Sequence, residues 1–274
     1  MPTIEEATNI IWKLKNSSAG YDGITAKMLQ LCLPMLGPHI THIINSCLLF
    51  GTFPKAWKTS IVKPIPKTLN PADFSDLRPI SIITALAKTL ERCIYQQIYN
   101  YVDNNNILSS FQSGFRQNQG TVTLLINVLD DIISQRDKGF CTALILLDFS
   151  KAFDTIDHSL LTAKLHYYGF DDKSVSFFNS DLANREQIVG VDDLYSNRVT
   201  ISSGVPQGSV LGPLLFLIYT SDMFNVVSFC NVMGFADDTQ IYHSFKYDDI
   251  DDALTKINSD LRRINNFSRA HNLK

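Results

Sequence analysis

Residues 3–15 place apolar side chains at helical spacing, with Thr3 and Glu6 three apart as in a capping box, so a helix is expected there. The stretch SSAGYDGIT reads as a loop, and short helical patterns follow as far as Leu49. Residues 60–65 alternate and are β-branched, which predicts a strand closed by Pro64 and Pro66. PKTLNPADFSDLRP is a loop or hairpin tip. Helical periodicity returns at 84–102 and 121–136. CTALILLDF, residues 141–149, is a near-continuous apolar run of strand length that reaches Asp148, the pattern of a central strand covered on both faces.

Beyond it, 160–168 and 173–182 read as helices, and 186–191 with 198–201 as paired strands around DDLYSN. A Gly/Pro loop, SGVPQGS, feeds an apolar helix at 210–219. Short β-like runs at 231–236 and 239–243 flank Asp237 and Asp238, which predicts a hairpin with both acids at its tip. Residues 250–267 form an amphipathic helix, and Leu254, Ile257, Leu261 and Ile264 are its expected packing stripe. The order is helices first and then a mixed block, so the expected class is α+β.

Length and composition narrow this little: 274 residues, 45% apolar and 19% charged, are those of an ordinary globular chain. Five scattered cysteines without a C-x-x-C pair exclude a disulfide framework and a Cys-rich zinc site. The expected setting is therefore reducing and intracellular, cytoplasm or nucleus. The start carries acids rather than a basic leader, and no apolar run reaches the ~20 residues of a membrane span. The net charge of −3 is uneven. Lys55, Lys58, Lys63, Lys67, Arg78, Lys88 and Arg92 make an early basic segment, and residues 237–252 an acidic one. Such a pair suits a polyanion with divalent cations, although from charge alone two solvated faces are the favoured explanation.

The acids change the picture more. Asp237 and Asp238 alone fit an ordinary polar turn. If the strand ending in Asp148 neighbours their hairpin, three carboxylates converge, and they repel unless cations lie among them. Hard oxygen ligands suit Mg²⁺, and paired ions activate an attacking hydroxyl and stabilise a leaving pyrophosphate. His39 and His42, three apart on a helical pattern, have no carboxylate to complete a motif. Asp154 and Asp157 are expected to hold a turn and a helix start. Asp248, Asp249, Asp251 and Asp252 are expected to cap the last helix.

Six blocks then fall in order: AGYDGIT, AWKTSIVKPIPK with DLRPISI, QSGFR, LLDFSKAFDTIDH, SGVPQGSVLGPLLF and GFADDT. Together, from Ala19 to Lys274, they resemble the reverse transcriptase domain of non-LTR, LINE-like retrotransposons. The resemblance implies a fingers–palm polymerase core with a small antiparallel palm sheet backed by helices. Residues 1–45 would be an N-terminal helical extension and the start of the fingers, about 46–139 the fingers and about 140–274 the palm.

The implied activity is RNA-directed DNA polymerisation, with an RNA template, a DNA primer and dNTPs as partners, two Mg²⁺ ions (Mn²⁺ as substitute), no membrane and a monomeric chain. Asp148, Asp237 and Asp238 would be catalytic and bind metal, together with the backbone carbonyl of Phe149. Phe153 falls at the position of the sugar gate. Lys67 and Arg78 fall in finger motifs that bind the triphosphate, and Gln207 in the loop that contacts nucleotide and template. Gly204, Pro206 and Gly208 would let that loop approach a base pair closely. The family's thumb and endonuclease are not expected in these residues. The contrasting expectations are a thumbless remnant that at most binds nucleic acid, and an RNA-templated RNA polymerase, which Phe153 disfavours.

Overall fold

The computed structural model describes residues 1–16 and 18–273. The loop SSAGYDGIT and the last residues, RAHNLK, therefore each contain one residue, Ser17 or Lys274, outside the described set. The helices are α1 (Ile4–Trp12), α2 (Ala26–Phe50), α3 (Ala85–Asn104), α4 (Thr121–Asp137), α5 (His158–Tyr167), α6 (Asp172–Leu182), α7 (Gly212–Thr220) and α8 (Ile250–Ala270). The strands are β1 (Thr59–Pro66), β2 (Leu77–Ile82), β3 (Cys141–Asp148), β4 (Arg185–Val191), β5 (Leu194–Tyr195), β6 (Val199–Ile201), β7 (Asn231–Phe235) and β8 (Asp238–Phe245). The class is mixed, with helices and two sheets.

The chain forms two compact units, Met1–Tyr101 with His158–Gly212, and Val102–Asp157 with Pro213–Lys274. Each is discontinuous in sequence.

The first unit holds a sheet in the order β2-β1-β4-β5, with β6 on β4. Thr3 and Glu6 make the reciprocal capping box that their spacing predicts. The short helical patterns up to Leu49 are in fact one 25-residue helix, α2, which contains Pro34 and Pro38. Both prolines lie on its exposed side, where water can hydrate the carbonyls they leave unbonded. Pro64 likewise lies inside β1, whereas Pro66 closes it as its last residue. β4 pairs with β1 only through Val62. The bond from Lys67 N–H to the Asp76 carbonyl (2.7 Å) makes the even-numbered positions of β1 face away from β2, beyond the last pair with β4 (Val62 with Val189), where a missing N–H costs no ladder bond. The expected hairpin tip is present between the antiparallel β1 and β2, with Phe74–Asp76 in a short 3-10 turn and β2 starting at Leu77.

The second unit is built on an antiparallel sheet in the order β3-β8-β7. Its two faces follow from the period of two. One carries Val232, Ile241 and Ile145 and packs on α8, with Ile241 wholly buried. The other carries Tyr242, Met233 and Phe235, which pack under α4 against Leu124 and Val128. β3 is thus an edge strand, not a central one, and α4 does not cover its outer positions. Leu146 is 73% exposed and Leu144 is exposed with it.

On α8 the buried stripe is Ala253, Ile257, Asp260, Ile264 and Phe267, whereas Leu254 is exposed. Of the expected stripe Ile257 and Ile264 are buried and Leu261 is half-buried, while Asp260 is inside and Leu254 is not. The Asp260 carboxylate accepts the N–H groups of Ser228, Phe229 and Cys230 and fixes the turn that starts β7. The acids that precede α8 stay exposed. Asp249 occupies the N-cap position without a side-chain capping bond, and Asp252 pairs with Lys256 instead.

Candidate active site

The hairpin GFADDT turns in two residues. β7 ends at Phe235, β8 starts at Asp238, and these two are paired across the ladder. Ala236 and Asp237 make the turn, with Ala236 left-handed at φ +59°. An alanine in that region costs roughly 1–2 kcal/mol, so surrounding contacts must hold it there.

On the other side of β8, Asp148 is the direct partner of Asp238. Directly opposed residues of an antiparallel pair have Cα atoms about 4.5–5.5 Å apart and point to the same face. The register therefore sets these two exposed acids side by side on the face that also carries Leu144, Leu146 and Tyr242. Asp237, half-buried, sits at the turn beside them. The expected hairpin with an acidic tip is present, and so is its neighbouring strand. In backbone terms Asp238 is the closer neighbour of Asp148. Among the described residues no three His, Cys, Asp or Glu side chains are gathered as a ready metal cage.

The turn is held from outside the hairpin. Gln112, 3% exposed, accepts the N–H of Ala236 at 2.9 Å on Oε1 and donates Nε2–H to the Ala236 carbonyl at 3.0 Å. The same Oε1 accepts the Gly114 N–H at 2.8 Å. Backbone bonds from Ser113 N–H to the Gly234 carbonyl and from Gly234 N–H to the Phe111 carbonyl, both 2.8 Å, lay this segment along β7. A Cβ on Gly114 would stand 2.0 Å from the Ala236 nitrogen, so only glycine fits. Arg116 closes the block by donating to the Ser109 carbonyl and to Asp103, both at 2.9 Å.

From α4, Asp131 accepts the Tyr242 hydroxyl at 2.6 Å. Burial, reinforced by this bond, holds that hydroxyl well above the ordinary tyrosine range. This ties the middle of β8 to α4. Phe149, just past β3, is buried. Phe153 stacks on Phe216, with ring centroids 4.8 Å apart at 26°, and meets Phe115 edge-on at 6.0 Å. Its ring is half-buried and held on two sides, so it packs in the second unit.

The remaining predicted residues lie in the first unit. Lys67 and Arg78 are exposed on the β1–β2 hairpin. Arg78 pairs with Ile65, and Lys67 continues the ladder opposite Asp76, so the two bases lie diagonally on one face. Lys67 Nζ donates to the Ser75 carbonyl at 2.9 Å.

Gln207 belongs to a loop pressed against β2. Its carbonyl accepts Ser81 N–H at 2.7 Å, and a Cβ on Gly208, at φ +126°, would come 2.6 Å from the Ser81 oxygen. His158 Nε2 bonds the Gly204 carbonyl at 2.7 Å. Glu91 of α3 accepts the N–H groups of Val210 and Leu211 at 2.5 and 3.2 Å. Glu91 is fully buried, with Arg185 4.0 Å away and Arg185 paired with Asp181 at 2.5 Å. Burial first, and then the Asp181 charge, push the Glu91 carboxyl up to about 7.

His39 and His42 are exposed on α2 and belong to no metal-holding group among the described residues. Asp157 lies just before α5 and accepts Asn272 Nδ2–H at 3.4 Å, in keeping with a structural role. Gln112 and Glu91 were not singled out by sequence reasoning. The one local hint for Gln112 was the tight Gln-Ser-Gly spelling of its block.

The family profile described as Reverse transcriptase (RNA-dependent DNA polymerase) matches residues 65–274. The chain is similar to the RNA-directed DNA polymerase from mobile element jockey of Drosophila melanogaster, 34% identical over 223 residues, which are 81% of this chain and 24% of that protein. It is 32% identical over 229 residues to the probable RNA-directed DNA polymerase from transposon BS of the same species (80% and 24%). Over 214 residues it is 28% identical to the retrovirus-related Pol polyprotein from type-1 retrotransposable element R2 of Popillia japonica (77% and 29%). The chain spans about a quarter of the length of these curated relatives.

Proposed function

Because this chain belongs to the reverse transcriptase (RNA-dependent DNA polymerase) family, in its non-LTR, LINE-like branch, we propose that it carries the polymerase chemistry of such an element. It adds dNTPs to the 3′-hydroxyl of a DNA primer on an RNA template. The observation that carries this reading is the pairing of Asp148 with Asp238 across β3 and β8, with Asp237 in the adjoining two-residue turn. In this reading the second unit's sheet belongs to the palm, and the β1–β2 hairpin to the fingers. The ranges 46–139 and 140–274 describe fingers and palm.

Reverse transcriptases use divalent metals. The donor set here is oxygen only: the carboxylates of Asp148, Asp237 and Asp238 and the Phe149 carbonyl. Hard oxygen donors of this kind fit Mg²⁺. When bound, Mg²⁺ lowers the pKa of an attacking hydroxyl and offsets charge on the leaving pyrophosphate. The protein's own share is placement. The ladder sets two acids on one face, and the turn adds the third. Phe153, held by Phe216 and Phe115, presents a rigid edge that excludes a ribose 2′-hydroxyl. Lys67 and Arg78 offer cations for the triphosphate. The Gln207 loop, fixed to β2, presents backbone to the nucleotide and template.

The test is primer extension by the full chain on primed RNA with dNTPs and Mg²⁺. Asp237→Ala is expected to lower the rate by about a thousandfold or more, since metal stabilisation of this kind is worth several kcal/mol. Its circular dichroism is expected to stay unchanged. A normally active Asp237→Ala chain rejects the assignment. Phe153→Ala is expected to admit ribonucleotides, and unchanged sugar discrimination removes the gate.

A further inference from the structure

Gln112 turns both ends of its amide to the GFADDT hairpin. It donates to one backbone group of Ala236, accepts from the other, and shares its oxygen with Gly114 N–H. The two partners are 124 residues apart in sequence. Gly114, two residues on, lets this segment approach the turn to a distance that no side chain allows.

Both features bear on one point of the backbone, the left-handed residue immediately before Asp237. A glycine there would reach this conformation without strain. With alanine in place, an external clamp must hold it. The clamp also has to be an amide. A carboxylate at 112 would set a lone pair against the Ala236 carbonyl and add a negative charge next to an acidic pair. A lysine can only donate, and a serine has a single oxygen to serve both backbone groups of Ala236.

We propose that Gln112 is a positioning residue for the reaction assigned above. By cross-linking both backbone groups of Ala236, it fixes the turn that holds Asp237 and Asp238 against Asp148. The inference rests on that functional reading for its chemistry, but its geometric part stands without it. Mg²⁺ demands near-ideal ligand geometry, so a loosened turn weakens Mg²⁺ use first, and Mn²⁺ restores part of the loss. Partners that orient metal ligands typically contribute about 10–100-fold to affinity or activity.

The experiment uses the full chain with Gln112→Ala, Gln112→Glu and Gln112→Met. The last keeps the volume and removes the bonds, which guards against a merely unfolded alanine variant. Two readouts are taken. Amide hydrogen exchange at Ala236 and Gly234 is expected to speed up at least about tenfold in all three variants, with α4 and β3 unchanged. In primer extension the Mg²⁺ concentration for half-maximal rate is expected to rise about tenfold and kcat to fall, with little change in KM for dNTP and partial rescue by Mn²⁺.

Gln112→Glu is expected to behave like Gln112→Met rather than like the native chain. Unchanged exchange at Ala236 overturns the clamp. Faster exchange with an unchanged Mg²⁺ requirement overturns its role in the reaction. If the native chain extends no primer while the variants still release Ala236, the clamp stands and the polymerase reading fails.

Discussion

Two loops in this chain are pressed against a strand by a glycine and tied by one buried side chain, Gln112 in the second unit and Glu91 in the first. Gln112 is neutral and bonds a turn that carries acids. Glu91 is an acid and bonds the N–H groups of Val210 and Leu211 behind the Gln207 loop. The amide can both give and receive, and it adds no charge where charge is already crowded. The carboxylate can only receive, but it receives two bonds at once. It stays buried with Arg185 beside it, and Arg185 is shared with Asp181. One brace is therefore indifferent to pH, and the other titrates. The contrast gives the more rigid device to the hairpin proposed to bind metal and the more responsive one to the loop proposed to meet nucleotide and template.

The largest effect expected from breaking this comparison is at the glycines. Gly114→Ala puts a methyl 2.0 Å from a backbone nitrogen, so the hairpin must move. Overpacking of this severity costs about 1–3 kcal/mol or more, and primer extension should be lost with it. Gly208→Ala meets one carbonyl oxygen at 2.6 Å and a strained φ, and its cost is expected to be smaller. Urea unfolding of the two variants ranks them, and equal costs erase the distinction between the loops.

Next is the titration. An acid raised from the ordinary 4.5 to about 7 takes up a proton on folding between those values. Its contribution to stability is full below about 4.5, falls as pH rises to about 7, and is flat above. Glu91→Gln should flatten that slope, read as the difference in urea midpoint between pH 5 and pH 7.5. A slope equal to that of the native chain removes Glu91 as the titrating group. The smallest effect is expected at the exposed hairpin tip. Lys67→Ala should raise KM for dNTP by a few-fold, on the order of 1 kcal/mol, and leave stability unchanged. A large loss of kcat there would place Lys67 nearer the chemistry than its solvent exposure implies.

Much of this was legible before any coordinates, and the limits have physical causes. The capping box at Thr3 and the acidic hairpin tip depend on neighbours within a few residues, and local spacing reports them well. Sequence spacing misread β3, because an apolar run of strand length looks the same whether or not its faces are covered. It missed the continuity of α2, because prolines break helices only where the freed groups stay dry. It turned the α8 stripe toward Leu254, because Asp260 counts as polar until the three N–H groups that it caps are known. The role of Gln112 was out of reach, since its partner is 124 residues away and an alanine gives no sign of a left-handed backbone. At the site, the presence of Asp148, Asp237 and Asp238 was legible, whereas the register that makes Asp148 and Asp238 direct partners emerged only from the ladder.

The outer side of β3 carries one more consequence. Among the described residues no strand continues the sheet past it, and Leu144 and Leu146 lie bare on its face. An exposed apolar edge strand is a template on which another chain's strand can form its hydrogen bonds. Handled alone at high concentration, this polypeptide is expected to self-associate at that edge, and Leu146→Lys is expected to raise its solubility.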